Sequence, residues 1–231
     1  MHLLAAKPGQ IADGSEAVDL GQTPGEIVVL SAADSELACL ANAYARLADP
    51  KPGLRLANLL LLSHNLSVDA YVEDIVAEAK LVVVRLLGGL RYWPYGIEQI
   101  AGECRKRKIA FACLPGDDQP DPQLGDHATL PAAQSHRLWQ FLVQGGIENA
   151  TRFLNYGASL IGRTAEWQEP RPLLRAGLYW PGAAIPSLGD LRARWQADRP
   201  VAGIIFYRAL VQAGQTSPID ALIETLQARG L

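Results

Sequence analysis

Leu81-Val82-Val83-Val84-Arg85-Leu86-Leu87, followed by Gly88-Gly89 and Leu90-Arg91-Tyr92-Trp93-Pro94-Tyr95, decides how the chain is read. Its first half is a short, continuous, β-branched run, the pattern of a strand covered on both faces. Glu26–Leu30, Leu54–Leu62 and Ile109–Leu114 are predicted strands of the same kind. The gaps between them carry apolar residues at helical spacing. These are Leu37, Leu40, Ala41, Tyr44, Leu47 and Ala48 in the first gap, and Val72, Ile75, Val76 and Ala79 in the second, where Ser67 is the expected cap. Ile97, Ile100, Ala101 and Cys104 mark the third. Pro50-Lys51-Pro52-Gly53 stops the first helix, and Pro115-Gly116 ends the last strand. Strands alternating with helices imply a parallel sheet with right-handed crossovers, an α/β domain of the Rossmann or flavodoxin-like type. Ligands on such sheets bind beyond the carboxyl ends of the strands. Those ends are Ser31–Asp34, Ser63–Asn65, Gly88–Tyr95 and Pro115–Asp118.

Working outward, residues 117–128 read as an acidic, Pro-rich surface loop. Residues 131–162 read as two helices broken at Gly145-Gly146, with an apolar stripe of Leu138, Leu142, Ile147, Ala150, Leu154, Ala158 and Ile161. From 164 to 200, tryptophans and prolines break all periodicity, and the expectation is a linker with a short helix at Leu188–Ala197. Val201–Tyr207 is a predicted strand. Ser217 is the expected cap of a last helix, with Pro218 and Asp220 in its first turn and Gly230 at its end. The expected organisation is therefore a flavodoxin-like α/β domain over 1–118, a loop and helical linker over 119–199, and the start of a second α/β domain over 200–231. A strand–loop–helix unit normally returns to a strand, so truncation of that second domain is expected.

Composition narrows the function. The net charge is −3, and the densest basic run, Arg105–Lys108, falls at a predicted helix end, where cations suit the helix dipole; no nucleic-acid partner is expected. Cys39, Cys104 and Cys113 lie in apolar helices or strands without a CxxC pair, so buried free thiols in a reducing, cytoplasmic setting are expected. No apolar run approaches the ~20 residues of a membrane helix. There is no GxxxxGK[ST] and no GxGxxG for a nucleotide, and no GxSxG for a nucleophilic serine. His2, His127 and His136 lack neighbours at ligand spacing, and only His64, at a strand end, keeps a possible metal role. Asp117-Asp118 reads as solvated loop charge, since the third strand ends Leu86-Leu87-Gly88 and not in the lone aspartate of a phosphoacceptor.

The loop after Arg85 is the stretch richest in recognition chemistry. Aromatic faces stack on flat conjugated rings, and arginine forks pair with carboxylates or amide oxygens. A tetrapyrrole offers both a flat ring and such edge groups. The competing reading is that these aromatics pack the loop against the next domain.

Several stretches resemble the large-subunit family of aerobic cobaltochelatase. They are Glu16–Gln22, Ile27–Asp34 with Glu36–Leu40, Arg85–Gly89 with Tyr92–Gly96, Leu114–Asp118, and Gly203–Arg208 with Asp220–Ile223 and Ala228–Leu231, all in family order. The resemblance implies the N-terminal part of a much longer chain that holds a tetrapyrrole while Co²⁺ is inserted into hydrogenobyrinic acid a,c-diamide during cobalamin synthesis. It implies an AAA+ ATPase subunit and an integrin-I-like subunit as partners, which supply the work of ATP and Mg²⁺. No cofactor, metal site or catalytic residue is expected within these 231 residues, which taken alone should be inactive. The expected ring contacts are Arg85, Gly88, Gly89, Tyr92, Trp93, Tyr207 and Arg208. After Phe-Tyr-Arg the family often has Ser or Ala and then His. Ala209-Leu210 stands here, so no histidine role carries over. The alternatives are the related magnesium chelatase large subunit, acting on protoporphyrin IX, and a non-catalytic module that carries a corrinoid or docks a partner. A carrier would show Asp-x-His-x-x-Gly, and neither Asp69 nor Asp126 has His two residues on.

Overall fold

A computed structural model describes residues 4–5 and 16–231, apart from 184 and 197. The chain divides into two compact units, Met1–Arg171 and Pro172–Leu231.

The first unit is built on four parallel strands, β3 (Ile27–Ser31), β4 (Leu54–Asn58), β5 (Leu81–Leu86) and β6 (Ala110–Pro115), in the order β4-β3-β5-β6. A two-residue parallel pair, β1 (Leu4–Ala5) and β2 (Val18–Asp19), precedes them. Ile27 lies opposite Leu54 on one side and Leu81 on the other, and Leu81 lies opposite Ala110. Alternate residues of the central strands feed two cores, because successive side chains point to opposite faces. Val28, Leu30, Val82, Val84, Phe111 and Cys113 meet helices α2 (Asn65–Asp74) and α3 (Pro94–Arg107). Ile27, Val29, Leu81, Val83, Ala112 and Leu114 meet α1 (Asp34–Ala45), α5 (Ala132–Gln144) and α6 (Gly146–Leu160). The one-turn helix α4 (Pro122–Gly125) inserts Leu124 under the first of these layers. The result is the doubly wound sheet read from the sequence, with its strand order reversing between β3 and β5.

Four local expectations are corrected. The predicted strand Leu54–Leu62 stops pairing at Asn58, whose side chain accepts from the Leu60 N–H at 3.0 Å and starts a 3₁₀ turn over Leu59–Leu62. The Asn58 side chain takes up an amide of the new turn, as an N-cap does. Ser67 does not cap α2. It lies buried inside the helix and accepts from the Val18 N–H at 2.7 Å, while His64 caps through Nδ1, which accepts from the Leu66 N–H at 3.1 Å. The helices expected in a linker cover the sheet, so the first unit runs past residue 118 to 171. Phe141 and Phe153, absent from the expected stripe, are fully buried against it. Burying each is worth ~1.5–3 kcal/mol, enough to commit both helices to the sheet. Gly145 and Gly146, with φ of +68° and +82°, make the break between α5 and α6. Trp167 then packs edge-on to Tyr156 at 4.6 Å, which ties the following segment down as well. The fourth correction is Val201–Tyr207, which is not hydrogen-bonded into any sheet among the described residues.

The second unit holds α7 (Leu188–Arg192), α8 (Arg208–Gln212) and α9 (Ser217–Ala228). The short helix expected to reach Ala197 ends at Arg192, and a capping box between Ser187 and Asp190 starts it. Ser217 is the first helical residue of α9 and not its cap. Tyr179 Oη donates to Asp220 Oδ1 at 2.6 Å and its ring meets Phe206 edge-on, which fastens the start of α9.

Candidate functional site at the carboxyl ends of the strands

A doubly wound sheet opens a crevice where its strand order reverses, here between the ends of β3 and β5. The side chains there are largely occupied with one another. Arg85, at the end of β5, forms an ion pair with Glu36 in the first turn of α1, and Arg85 Nε donates to the Pro115 carbonyl at 3.1 Å. Only 10% of the Arg85 side chain and 12% of the Glu36 side chain reach solvent. Burial pulls the Arg85 guanidinium down to about 10, against the pull of the Asp117 carboxylate, so it stays charged at neutral pH. The second oxygen of Glu36 is buried without a partner. Arg85 thus ties the ends of three elements, β5, β6 and α1, across the crevice. Beside it Asp34 Oδ1 accepts from Asn58 Nδ2 at 2.7 Å, and Ser31 Oγ accepts from the Ala33 N–H at 3.2 Å.

The loop after β5 separates into an inner and an outer part. Gly88 (φ +89°) and Gly89 (φ +75°) turn the chain in a conformation open to glycine. Tyr92 follows, lies against Gly88 and is 53% exposed. Leu87 and Arg91 are exposed beside it. Trp93 goes the other way. Its ring is buried, its indole N–H donates to the Leu62 carbonyl at 3.0 Å, and Gly96 leaves room for it: a methyl there would lie 2.1 Å from Trp93 Cε2. Tyr95 donates from Oη to Asp69 Oδ1 at 2.7 Å, linking α3 to α2. The next loop comes so close that a side chain on Gly116 would meet the Leu87 backbone at 2.7 Å.

Among the expected ring contacts, the Arg85 and Trp93 side chains are engaged inside the fold. Gly88, Gly89 and Tyr92 stand together at the crevice mouth. Tyr207 and Arg208 belong to the second unit. Tyr207 is open to solvent, whereas Arg208 donates to the carbonyls of Leu174 at 2.9 Å and Leu173 at 3.1 Å, which occupies its fork. His64 is likewise accounted for by its capping bond, since Nδ1 accepts there and is closed to a metal. Asp117 and Asp118 accept from Gln119 and form an exposed turn. The Arg105–Lys108 run closes α3, with Lys106 and Arg107 paired to Glu103. Sequence reading missed Glu36 as the partner of Arg85. Its one signal was position, an acidic first-turn residue close to an arginine at the carboxyl end of a central strand. Among the described residues, no group of three or more His, Cys, Asp or Glu could hold a metal ion, and no helix is long and apolar enough to cross a membrane.

Fold and site define a flavodoxin-like α/β unit whose usual ligand crevice is braced by a buried ion pair, joined to a smaller second unit. Comparison with known proteins places it further. Residues 139–231 match the family described as CobN/Magnesium Chelatase. Over its whole length the chain is 46% identical to the aerobic cobaltochelatase subunit CobN of a Sinorhizobium species and 44% identical to that of Pseudomonas aeruginosa, spanning 19% and 18% of those proteins. Its fold is similar to the catalytic subunit of cobaltochelatase from Mycobacterium tuberculosis, with a TM-score of 0.63 and 22% identity over 90% of this chain and 15% of that one. The chain thus resembles, from end to end, about a fifth of the aerobic cobaltochelatase subunit CobN.

Proposed function

We propose that the chain is the N-terminal part of the large, tetrapyrrole-binding subunit of an ATP-dependent cobaltochelatase, which inserts Co²⁺ into hydrogenobyrinic acid a,c-diamide in aerobic cobalamin synthesis. The observation that carries this reading is identity of 46% along the whole chain to a protein of that name. In the cytoplasm, an AAA+ ATPase subunit and an integrin-I-like subunit supply the work of ATP and Mg²⁺. Within the large subunit this segment is scaffold and substrate-facing arm. Losing water from Co²⁺ and two protons from the ring requires metal ligands and a base, and this reading assigns those groups to the rest of the subunit. The 231 residues alone then have neither chelatase nor ATPase activity.

Gly88, Gly89 and Tyr92 form one wall of the ring cleft in this reading. The two glycines let the macrocycle approach the backbone, Tyr92 lays its exposed ring on the tetrapyrrole face, and Arg91 reaches an edge carboxylate or amide. A stacking aromatic contributes ~0.5–1.5 kcal/mol beyond area, so Tyr92→Ala in a complete large subunit should weaken ring binding roughly threefold to tenfold at 1.4 kcal/mol per decade. The ring's absorbance titrated with protein measures this, and the melting temperature should stay unchanged because Tyr92 is half open to water. An unaltered dissociation constant would remove the loop from the cleft. The matched family joins cobalt and magnesium enzymes, so tighter binding of protoporphyrin IX than of the corrin precursor would move the reading to the magnesium branch.

A further inference from the structure

Val201-Ala-Gly-Ile-Ile-Phe-Tyr207 combines features that a finished protein seldom shows together. The run is rich in β-branched and aromatic residues and contains no charge. From Gly203 onward its exposure alternates: Ile204 and Phe206 are partly covered, whereas Ile205 is 99% and Tyr207 86% exposed. That is the period of an extended strand with one covered face. On the covered side Phe206 meets Tyr179 at 5.5 Å, and Ile204 lines a cavity of about 130 Å³ together with Val201, Ile223 and Leu226. On the other side Ile205 is bare. Among the described residues, no backbone hydrogen bond reaches residues 201–206, so both edges of the run are open. Natural edge strands guard such amides with lysine, proline or a bulge, and beyond Pro200 none of these devices is present.

We propose that Val201–Tyr207 is an interior strand of a second parallel sheet, whose neighbouring strands come from polypeptide of the large subunit lying outside these 231 residues. Two open edges need two neighbours. A second copy, pairing edge to edge about a two-fold axis, would supply one and leave the other bare, and a bound peptide has the same shortfall. The occupant must also cover the face that carries Ile205. The relatives have ample chain for this, since the segment spans only 18–19% of their length. The helix α9 that follows covers the side of Ile204, as the helix of a right-handed crossover does. This inference is independent of which ring or metal the subunit handles.

Amide hydrogen exchange on a complete large subunit, alone and at concentrations where it is monomeric, tests the proposal. The amides from Ala202 to Phe206 should exchange roughly a thousandfold slower than an unprotected peptide, as interior strands do. Ile205→Lys in the same subunit should restore fast exchange there or lower the yield of folded protein. Unprotected exchange in the unmodified subunit would overturn the proposal. So would protection that appears only on dimerisation or only after the partner subunits are added.

Discussion

Trp93→Ala separates packing from ligand contact at the loop that looked most like a binding site. Trp93 is buried against Gly96 and donates to the Leu62 carbonyl at 3.0 Å. Removing a buried tryptophan costs ~3–5 kcal/mol through lost transfer energy and the cavity left behind. For a chain of this size each kcal/mol lowers the melting temperature by about 2–4 °C, so a drop on the order of 10 °C is expected. Trp93→Phe keeps most of the volume but leaves the Leu62 carbonyl without its donor, and should cost ~1–3 kcal/mol. Gly96→Ala approaches the same contact from the other side, because the new methyl would sit 2.1 Å from the ring. The two sites therefore couple: Trp93→Ala should remove most of the penalty of Gly96→Ala, and a double-mutant cycle should show ~1 kcal/mol or more of interaction. Urea unfolding, followed by circular dichroism, reads the unaltered protein and all four variants. Unchanged stability of Trp93→Ala, or additive effects of the two substitutions, would refute the packing argument.

Glu36→Ala should destabilise the fold by ~3–5 kcal/mol in urea unfolding, because it strands the Arg85 charge in the protein, whereas Glu36→Leu combined with Arg85→Met should recover most of that loss. Glu26, at the opposite end of β3, accepts from Arg163, Lys80 and the Gly53 N–H, and these bonds hold its carboxyl down at about 2. Its folded value lies below the ordinary glutamate value of 4.5, so its contribution is complete above that value and fades as pH falls toward 2. Water screens the site, so Glu26→Gln should cost ~1 kcal/mol at pH 7 and flatten the acid limb of stability. Burial pushes Cys39 up to about 11 and Cys104 and Cys113 up to about 12, so thiol titration at pH 8 should find three groups in denaturant and almost none in native buffer.

The four strands of the main sheet and the helices between them were legible because burial on both faces leaves continuous β-branched runs, and one-sided burial leaves a 3.6-residue period. The same rule hid the extent of the first unit. Residues 131–162 show helical spacing, but nothing in spacing tells whether a helix covers this sheet or another. Phe141 and Phe153, which make the contact, were not in the expected stripe. Leu59–Leu62 is as apolar as a strand, and only the cap offered by Asn58 ends the pairing. At the site, the sequence places Arg85 and Trp93 at a strand's carboxyl end but does not show that their side chains turn inward to Glu36 and the Leu62 carbonyl. A residue type cannot say whether a guanidinium faces a ligand or a glutamate on a helix that precedes it by a whole strand–helix unit. The alternation in Val201–Tyr207 reads as a strand because its side chains obey that period, even though no neighbour pairs with its backbone.

The most direct test is a graft. The matching stretch of the Pseudomonas aeruginosa cobaltochelatase subunit is replaced by these 231 residues, and metal insertion is measured with its partner proteins and ATP. Insertion of Co²⁺ into hydrogenobyrinic acid a,c-diamide, at a rate within about tenfold of the unaltered subunit, is the expected result. A folded graft that binds the ring no better than an unrelated protein and inserts no cobalt, or that inserts Mg²⁺ into protoporphyrin IX instead, would contradict it.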